Sequence, residues 1–427
     1  VSLNKTLQPL DDEKLRAAFG AMEHPRDFRP FVAAKIVPEL NIPRAERTRK
    51  VMEQPFFQEQ RALFDSLMAE PFRGITTDGT LRPVGRRPVA NGAPVEAMES
   101  AARALINVLR PDVAERIRFP VDDQTAWRRW HNMPMAWPID GIGLEEMNAE
   151  EHAATHALLA ASLSKQGYAH LRDLMAINRF SGGLLQREKY LNEDCYTIGL
   201  FGEPGSGDWG WQLYGHHICL NVRLVGEAYV LSPFLLAAEP TLVDEGPNAG
   251  INAFMANETA GLALIRGLSP DLREKAMILP SILSGDVPEG RRHWADSLHL
   301  GGAFRDNRTI PLEGVCAGEF TTADRERLLA AVEAFHMILP EGPRAARMAE
   351  IEAHLDRTWL TWMGGHGDWD PFYYRIQSPA VIVEFDHHQA VFLTNAEPAR
   401  FHVHTLARIP EGGDYGMDLA AKHKSNA

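Results

Sequence analysis

The spacing of apolar residues divides the chain into helical and extended stretches that alternate. From Asp11 to about Met68 they recur every three or four positions, in LDDEKLRAAFGAM, FRPFVAAKIVPEL and AERTRKVMEQPFFQEQRALFDSLMAEPF. Prolines separate the pieces, which predicts a helical arm. Phe72–Gly92, rich in Gly, Pro, Thr and Arg, reads as loop. Helical spacing returns in PVEAMESAARALINVLRP and over Glu145–Gln166. Between these lies an aromatic, proline-studded stretch with Trp127, Trp130 and Trp137, expected to wrap over a core or line a cleft.

From Cys195 the period becomes two, and CYTIGLFG, WGWQLYGHHICLNVRLV and EAYVLSPFLLA read as strands. Helices are predicted at Asn252–Gly267, Asp271–Met277, Thr322–Met337 and Pro343–Thr358. WLTWMGG, PFYYRIQ, AVIVEFDHH, AVFLTN and FHVHTLAR form a second run of strands. This order predicts an α+β fold whose antiparallel sheet is built from residues 195–235 and 358–408 and surrounded by helices. No repeat or low-complexity tract is evident. The expected division is a helical extension over 1–70, one α+β catalytic domain over 71–420 and a flexible tail over 421–427.

Alternation also says which polar side chains share a strand face. His402 and His404 stand two apart and form a same-face pair, with Arg408 on that face. Glu384, between Val383 and Phe385, is a carboxylate inside an apolar strand, where burial is costly unless it is paired, protonated or metal-bound. Tyr373, Arg375 and Gln377 share a third face. In Trp209–Arg223, strict alternation groups Trp211, Leu213, His217, Cys219 and Asn221 against Gln212, Tyr214, His216, Ile218 and Leu220. Either way one of the adjacent histidines enters the interior, and the more polar and aromatic company favours His217 over His216.

These positions suit a divalent metal held by His217 or His216, His404 or His402, and Glu384, with zinc or iron expected and manganese or copper admissible. A metal-dependent hydrolase of a small organic molecule follows as the leading expectation. Glu384 and His402 would do acid/base work, and Arg408 and Arg375 would neutralise a substrate carboxylate or oxyanion. Trp209, Trp211, Tyr373 and Asn221 would line the pocket. The same donor set admits a non-heme iron or copper oxygenase, and a metal-free acid/base enzyme or a non-catalytic binding protein are the further alternatives. Asp386–His388 reads as a solvated strand end, His152 and His156 as a polar helix face, and His293 and His299 have no identifiable partner.

Composition narrows the partners. With 44 basic against 57 acidic residues, a net charge of -13 argues against nucleic acid or an anionic membrane surface. Three cysteines without a C-x-x-C exclude a disulfide framework or a cysteine zinc site. No run of about 18 apolar residues is present, and the first residues lack the apolar core of a signal peptide, so a cytoplasmic location is expected. No nucleotide-binding glycine motif occurs, so no nucleotide cofactor is expected. The helical extension is a candidate for contact with a second copy.

FRGITTDG (Phe72–Gly79), FPVDDQTAWRRWHNMP (Phe119–Pro134), FGEPGSGDWGWQLYGHHICLN (Phe201–Asn221), YYRIQSPAVIVEFD (Tyr373–Asp386) and HVHTLARIPEGGDYG (His402–Gly416), in this order, resemble the family catalogued as domain of unknown function 3500. The resemblance covers roughly residues 70–420. It implies no particular activity, but it marks His216, His217, Asn221, Glu384, His402, His404, Arg408 and Asp414 as motif positions, which adds Asp414 to the candidate substrate-binding residues. The ending IPEGGDYG is looser than the family's usual one, and the N-terminal helical arm lies outside the resemblance.

Overall fold

Period-two alternation works out as two four-stranded meanders joined edge to edge. A computed structural model describes residues 12–34, 37–135 and 141–426; Trp137 and residues 1–11 lie outside that range. The first meander is preceded by the short strands β1 (Arg118–Phe119) and β2 (Ile142–Gly143) and consists of β3 (Tyr196–Gly202), β4 (Asp208–Gly215), β5 (Ile218–Val225) and β6 (Ala228–Ala238). The second is preceded by β7 (Met277–Leu279) and β8 (Val315–Cys316) and consists of β9 (Trp359–Gly364), β10 (Phe372–Gln377), β11 (Ile382–His388) and β12 (Ala399–Arg408). The sheet order is β1-β3-β4-β5-β6-β12-β11-β10-β9-β7, with β2 also on β3 and β8 also on β9.

The sheet is mixed, which corrects the expectation of an antiparallel one. β1 runs parallel to β3 and β7 parallel to β9. Both added strands are two or three residues long and follow directly on a helix. Alternation over so few residues carries no directional signal.

One face of the sheet is covered by helices. Trp211, Leu213, Leu220, Phe234, Leu236, Tyr374, Val383, Phe385 and Val403 join Leu158, Leu174, Leu264, Leu328 and Ile351 of the helices in one buried cluster. On the other face, Tyr214, Cys219, Leu235, Ala237 and Leu406 meet Phe64, Trp127, Trp130 and Phe304 from the N-terminal helices and a long loop. Helix Met417–Asn426 runs through the segment expected as a tail, and Ala427 lies outside the described residues. No helix among the described residues is long and apolar enough to cross a membrane.

The two meanders belong to two halves of the same design, a repeat that the sequence pattern had hidden. Each half runs helix, helix, short strand, short strand, 3-10 turn, helix, helix, meander, from Val95–Val108 in the first and from Met255–Gly267 in the second, with a helix Gln124–Arg128 added between the short strands of the first half and a 3-10 turn Leu355–Arg357 before the meander of the second. LRPDVAERIRFP (109–120) and LSPDLREKAMILP (268–280) occupy the same place. β2 meets β3 at Ile142↔Ile198 as β8 meets β9 at Val315↔Leu360. Gly141 and Gly314 stand just before these short strands with φ of 120° and 85°, where a Cβ would strike the carbonyl oxygen of Ile198 or Leu360. The last strands of the halves, β6 and β12, pair antiparallel, the relation a twofold axis produces between two copies.

One expected strand is absent. Ala390–Asn395 (AVFLTN) leaves the ladder because the buried carboxylate of Glu239 accepts the main-chain N–H groups of Val391, Phe392 and Leu393 at 3.0–3.2 Å. Glu239→Ala leaves those donors without their acceptor, that of Leu393 buried and those of Val391 and Phe392 partly so, and should cost about 3 kcal/mol, and Glu239→Gln roughly 1 kcal/mol. Urea unfolding at constant m-value measures both; wild-type stability in Glu239→Ala would disprove the clamp.

Candidate metal centre

The β4–β5 hairpin buries both adjacent histidines, where alternation had sent only one inward. Gly215 pairs with Ile218, so His216 and His217 are the two turn residues rather than strand residues. His217 takes the left-handed conformation, φ 67°, which costs a non-glycine residue of order 1 kcal/mol and marks a position held for a purpose. Its main chain is tied at both ends: its N–H donates to Asn132 O at 3.3 Å, and its carbonyl accepts from Ala237 N at 2.8 Å. Ala237 in turn lies opposite His404 in the β6–β12 register. The turn is thereby held against the histidine pair.

His402 is positioned by a bulge. His387 faces Val403, but His388 faces Ala399, so Arg400–His402 have no ladder partner on β11. Bulges re-aim side chains beside functional sites. The His402 Nδ1–H donates to Gln389 O at 2.7 Å. A carbonyl only accepts, so this bond leaves Nε2 of neutral His402 as a lone pair. That Nε2 lies 3.1 Å from His404 Nε2, and His404 Nδ1 lies 3.4 Å from the Asn132 side-chain nitrogen.

One nitrogen each from His217, His402 and His404 lies within 4.8 Å of the others, and all three residues are buried, a compact group of a kind that can hold a metal ion. Burial, then the surrounding imidazoles, holds His217 and His404 well below the usual histidine range. Burial lowers His402 too, against the opposing pull of Glu239 and the Gln389 bond. All three are therefore neutral at pH 7, the form that binds metal. His216 stacks on His217 at 3.8 Å and donates from Nδ1 to Asn178 Oδ1 at 2.8 Å, leaving its buried Nε2 without a partner.

Beside this group stand residues that the sequence pattern had set aside. Asp386 lies opposite His404 in the β11–β12 register. The His388 ring stacks on His404 at 3.8 Å, and His299 reaches in from the covering loop, 6.3 Å from the His404 ring centre. Asp386–His388 is buried, not solvated. A register is needed to see this, because DHH read alone falls at a strand end.

Residues 91–417 match the profile of the DUF3500 family, described as proteins of unknown function. The chain belongs to the DUF3500 family. No curated protein and no solved structure matches it.

In this DUF3500 protein Glu384 lies outside the compact donor group. It sits two residues along β11 from Asp386 and faces Leu406 rather than His404. Its oxygens accept Leu300 N at 2.7 Å, Gly301 N at 2.8 Å and the Tyr373 hydroxyl at 2.7 Å, so it fastens the covering loop to the sheet. Burial pushes its pKa up, but His299, Arg375 and these bonds bring it below the usual value. Arg375 donates to Glu313 at 2.9 Å and to Pro311 O at 3.1 Å, with its buried Nε unpartnered.

Arg408 and Asp414 are engaged in a structural rivet. Arg408 donates to Asp306 and Asp414, at 2.8 Å each, and to the carbonyls of Gly301 and Gly302. Asp414 also accepts from the Ser232 hydroxyl at 2.6 Å and Ile409 N at 2.8 Å, and Asp306 accepts from Arg128 at 3.0 Å. Trp209 and Trp211 face the helices, across the sheet from the imidazoles; Trp211 donates to Ser162 Oγ at 3.0 Å. Asn221 faces the imidazole side, but its amide is held by Gln212 at 2.6 Å and Pro233 O at 2.7 Å. The two-residue turn reverses the parity assumed for this hairpin: Gln212, not Trp211, shares a face with Asn221.

Neutral buried imidazoles make the metal-free protein acid-sensitive. An unfolded histidine titrates near about 6.5, whereas burial and nearby charges take folded His216 down to about 3. The folded state then binds fewer protons, so stability is full above about pH 6.5 and falls progressively toward the folded pKa, by about 1.4 kcal/mol per pH unit for each such histidine. Urea midpoints of metal-free protein from pH 7.5 to 5 should fall steeply, and His216→Gln should flatten the slope by one histidine's share; a flat wild-type profile would refute neutral burial.

Proposed function

We propose that this DUF3500 protein is a metal-dependent enzyme, a hydrolase of a small anionic substrate, with the ion held by His217, His402 and His404. The observation that carries the reading is the compact, neutral three-imidazole group with the His402 ring oriented by Gln389 O. Outer hydrogen bonds of that kind fix the liganding nitrogen of a metal-binding histidine. A divalent ion on three imidazoles keeps an open position, lowers the pKa of bound water toward neutrality and polarises a carbonyl.

The chain's own residues supply the rest. Arg291 and Arg375 share the single carboxylate of Glu313, and each has a buried Nε without a partner. Burial, then Arg305 and Arg291, lowers the pKa of Arg308, which donates to Leu300 O at 3.1 Å. This wall of guanidiniums suits a substrate carboxylate, and the buried hydroxyl of Tyr373, bonded to Glu384, stands among them. Arg375 keeps its anion-facing role in this reading, while Arg408 becomes structural.

Three imidazoles without a carboxylate also suit copper or iron, so the element decides between hydrolase and oxygenase. Elemental analysis should find stoichiometric zinc, no oxygen uptake, and hydrolysis of small carboxylated esters or amides. His404→Gln should lose the ion and at least about 100-fold in rate while staying folded. Stoichiometric iron or copper with oxygen consumption would overturn the hydrolase, and no metal after reconstitution would overturn the centre itself.

A further inference from the structure

We propose a second cation position beside the first, formed by Asp386, His299 and His388, so that the centre is dinuclear; this rests on the three-imidazole reading above. Asp386 Oδ1 lies 3.4 Å from His299 Nε2 and 3.5 Å from His388 Nε2. These three atoms are buried, and none has a hydrogen-bond partner. Three unsatisfied polar atoms converging in a protein interior call for an occupant. Metal–donor bonds of about 2.1 Å give donor–donor edges of about 3.4 Å in a tetrahedral site; the two carboxylate–imidazole separations match such edges, while the His299 and His388 nitrogens stand farther apart than the atoms of the compact group and must close on the ion.

Each residue is held for the task by its other contacts. Asp386 Oδ2 accepts Leu298 N at 3.3 Å, leaving Oδ1 for the site. The Asp296 main chain lies against His388. His299 is carried by a loop that Glu384 and Arg408 fasten to the sheet. The set is looser than the first, each imidazole meeting the carboxylate separately, so loading draws the two rings toward it. In the metal-free protein burial pushes Asp386 well above the usual carboxylate range; a cation there takes the place of the proton.

The stacked rings of His388 and His404 put the two donor sets side by side. Two imidazoles and one carboxylate with open positions complete a pair of sites of the kind that clamp both the attacking and the leaving oxygen of a hydrolysed bond. The ligand class is therefore a second divalent ion, and the substrate oxygen would lie between the two.

The test is zinc content of the full chain after reconstitution and desalting, compared with Asp386→Asn and His404→Gln. Two ions per chain in the wild type and one in folded Asp386→Asn is the expected result. One ion in both overturns the second position while leaving the three-imidazole site standing; two in both places the extra ion elsewhere and also overturns it. None in the wild type overturns both readings. None in folded Asp386→Asn makes Asp386 part of the first site and removes the second. Should Asp386→Asn fail to fold, His299→Gln replaces it with the same expectations, since the His299 ring nitrogens carry no hydrogen bond to lose.

Discussion

The antiparallel pairing of β6 with β12 is the constraint on which the rest depends. It brings Phe234–Ala238 against Val403–Ala407 and makes one sheet of two meanders that lie far apart in sequence. The same ladder sets Ala237 opposite His404 and lets Ala237 N hold the carbonyl of His217. Without it the three imidazoles belong to separate halves. Apart from His404 and Thr405 the seam is apolar: Phe234, Leu236, Val403 and Ala407 pack under the helices, and Leu235, Ala237 and Leu406 under the aromatic cover. Buried pairing of this kind leaves no exposed strand edges where the halves meet.

The duplication shows how the two flanks of the seam came to differ. Gly202 and Gly364, with φ of 72° and 98°, end the first strand of each meander. Three positions into the next strand from their partners stand Gln212, opposite Asn221, and Arg375, opposite Glu384. Two residues further, Arg223 faces Val230 in the first half where Asp386 faces His404 in the second. In the first half Val225, Ala228 and Val230 are sealed by Leu419 and Ala420 of the last helix. The bulge that carries His402 interrupts the second half alone at this point, since β5 and β6 stay in register from Arg223–Val230 to Val225–Ala228. A common frame thus holds the imidazole group on one side and, on the other, an apolar seal beside the Arg223–Asp208 and Gln212–Asn221 pairs.

What the chain revealed beforehand follows from what alternation encodes. A strand's two faces are local, so the pairing of His402 with His404 was legible; the expectation that one residue of His216–His217 turns inward was not met, because the turn buries both. Register is not local: Glu384 and Asp386 share a face, and only the β11–β12 ladder shows that Asp386 is the one beside His404. The two-residue hairpin likewise hides in the sequence, because WGWQLYGHHICLNVRLV alternates across the turn without a break, and the parity of Asn221 was lost there. Trp209 and Trp211 were grouped with the site for their chemistry, whereas packing against the helices sets them opposite. The segment Ala390–Asn395 had strand-like residues, and a distant carboxylate, Glu239, took its donors. The repeat survives mainly in topology, with LRPDVAERIRFP and LSPDLREKAMILP as its clearest trace.

The energetics of the two polar systems point in opposite directions. In the rivet, Arg408, Asp306, Asp414, Ser232 and Tyr415 are bonded to one another, with Trp130 donating to Tyr415 at 2.8 Å. Such a network offsets its own desolvation and fixes the covering loop. In the centre, His216, His299, His388 and Asp386 keep buried atoms without partners, each at a cost of about 1–3 kcal/mol. A fold that satisfies one buried network fully and leaves the adjoining one open is not short of bonding partners in general. Those atoms of the centre lie beside the bulge of β12 and the left-handed turn at His217, although other buried atoms without partners, such as Tyr229 Oη and Arg273 Nε, lie elsewhere. Polar desolvation and backbone strain meeting at one place are a general mark of functional sites, and the rivet fixes the covering loop that carries His299 beside them.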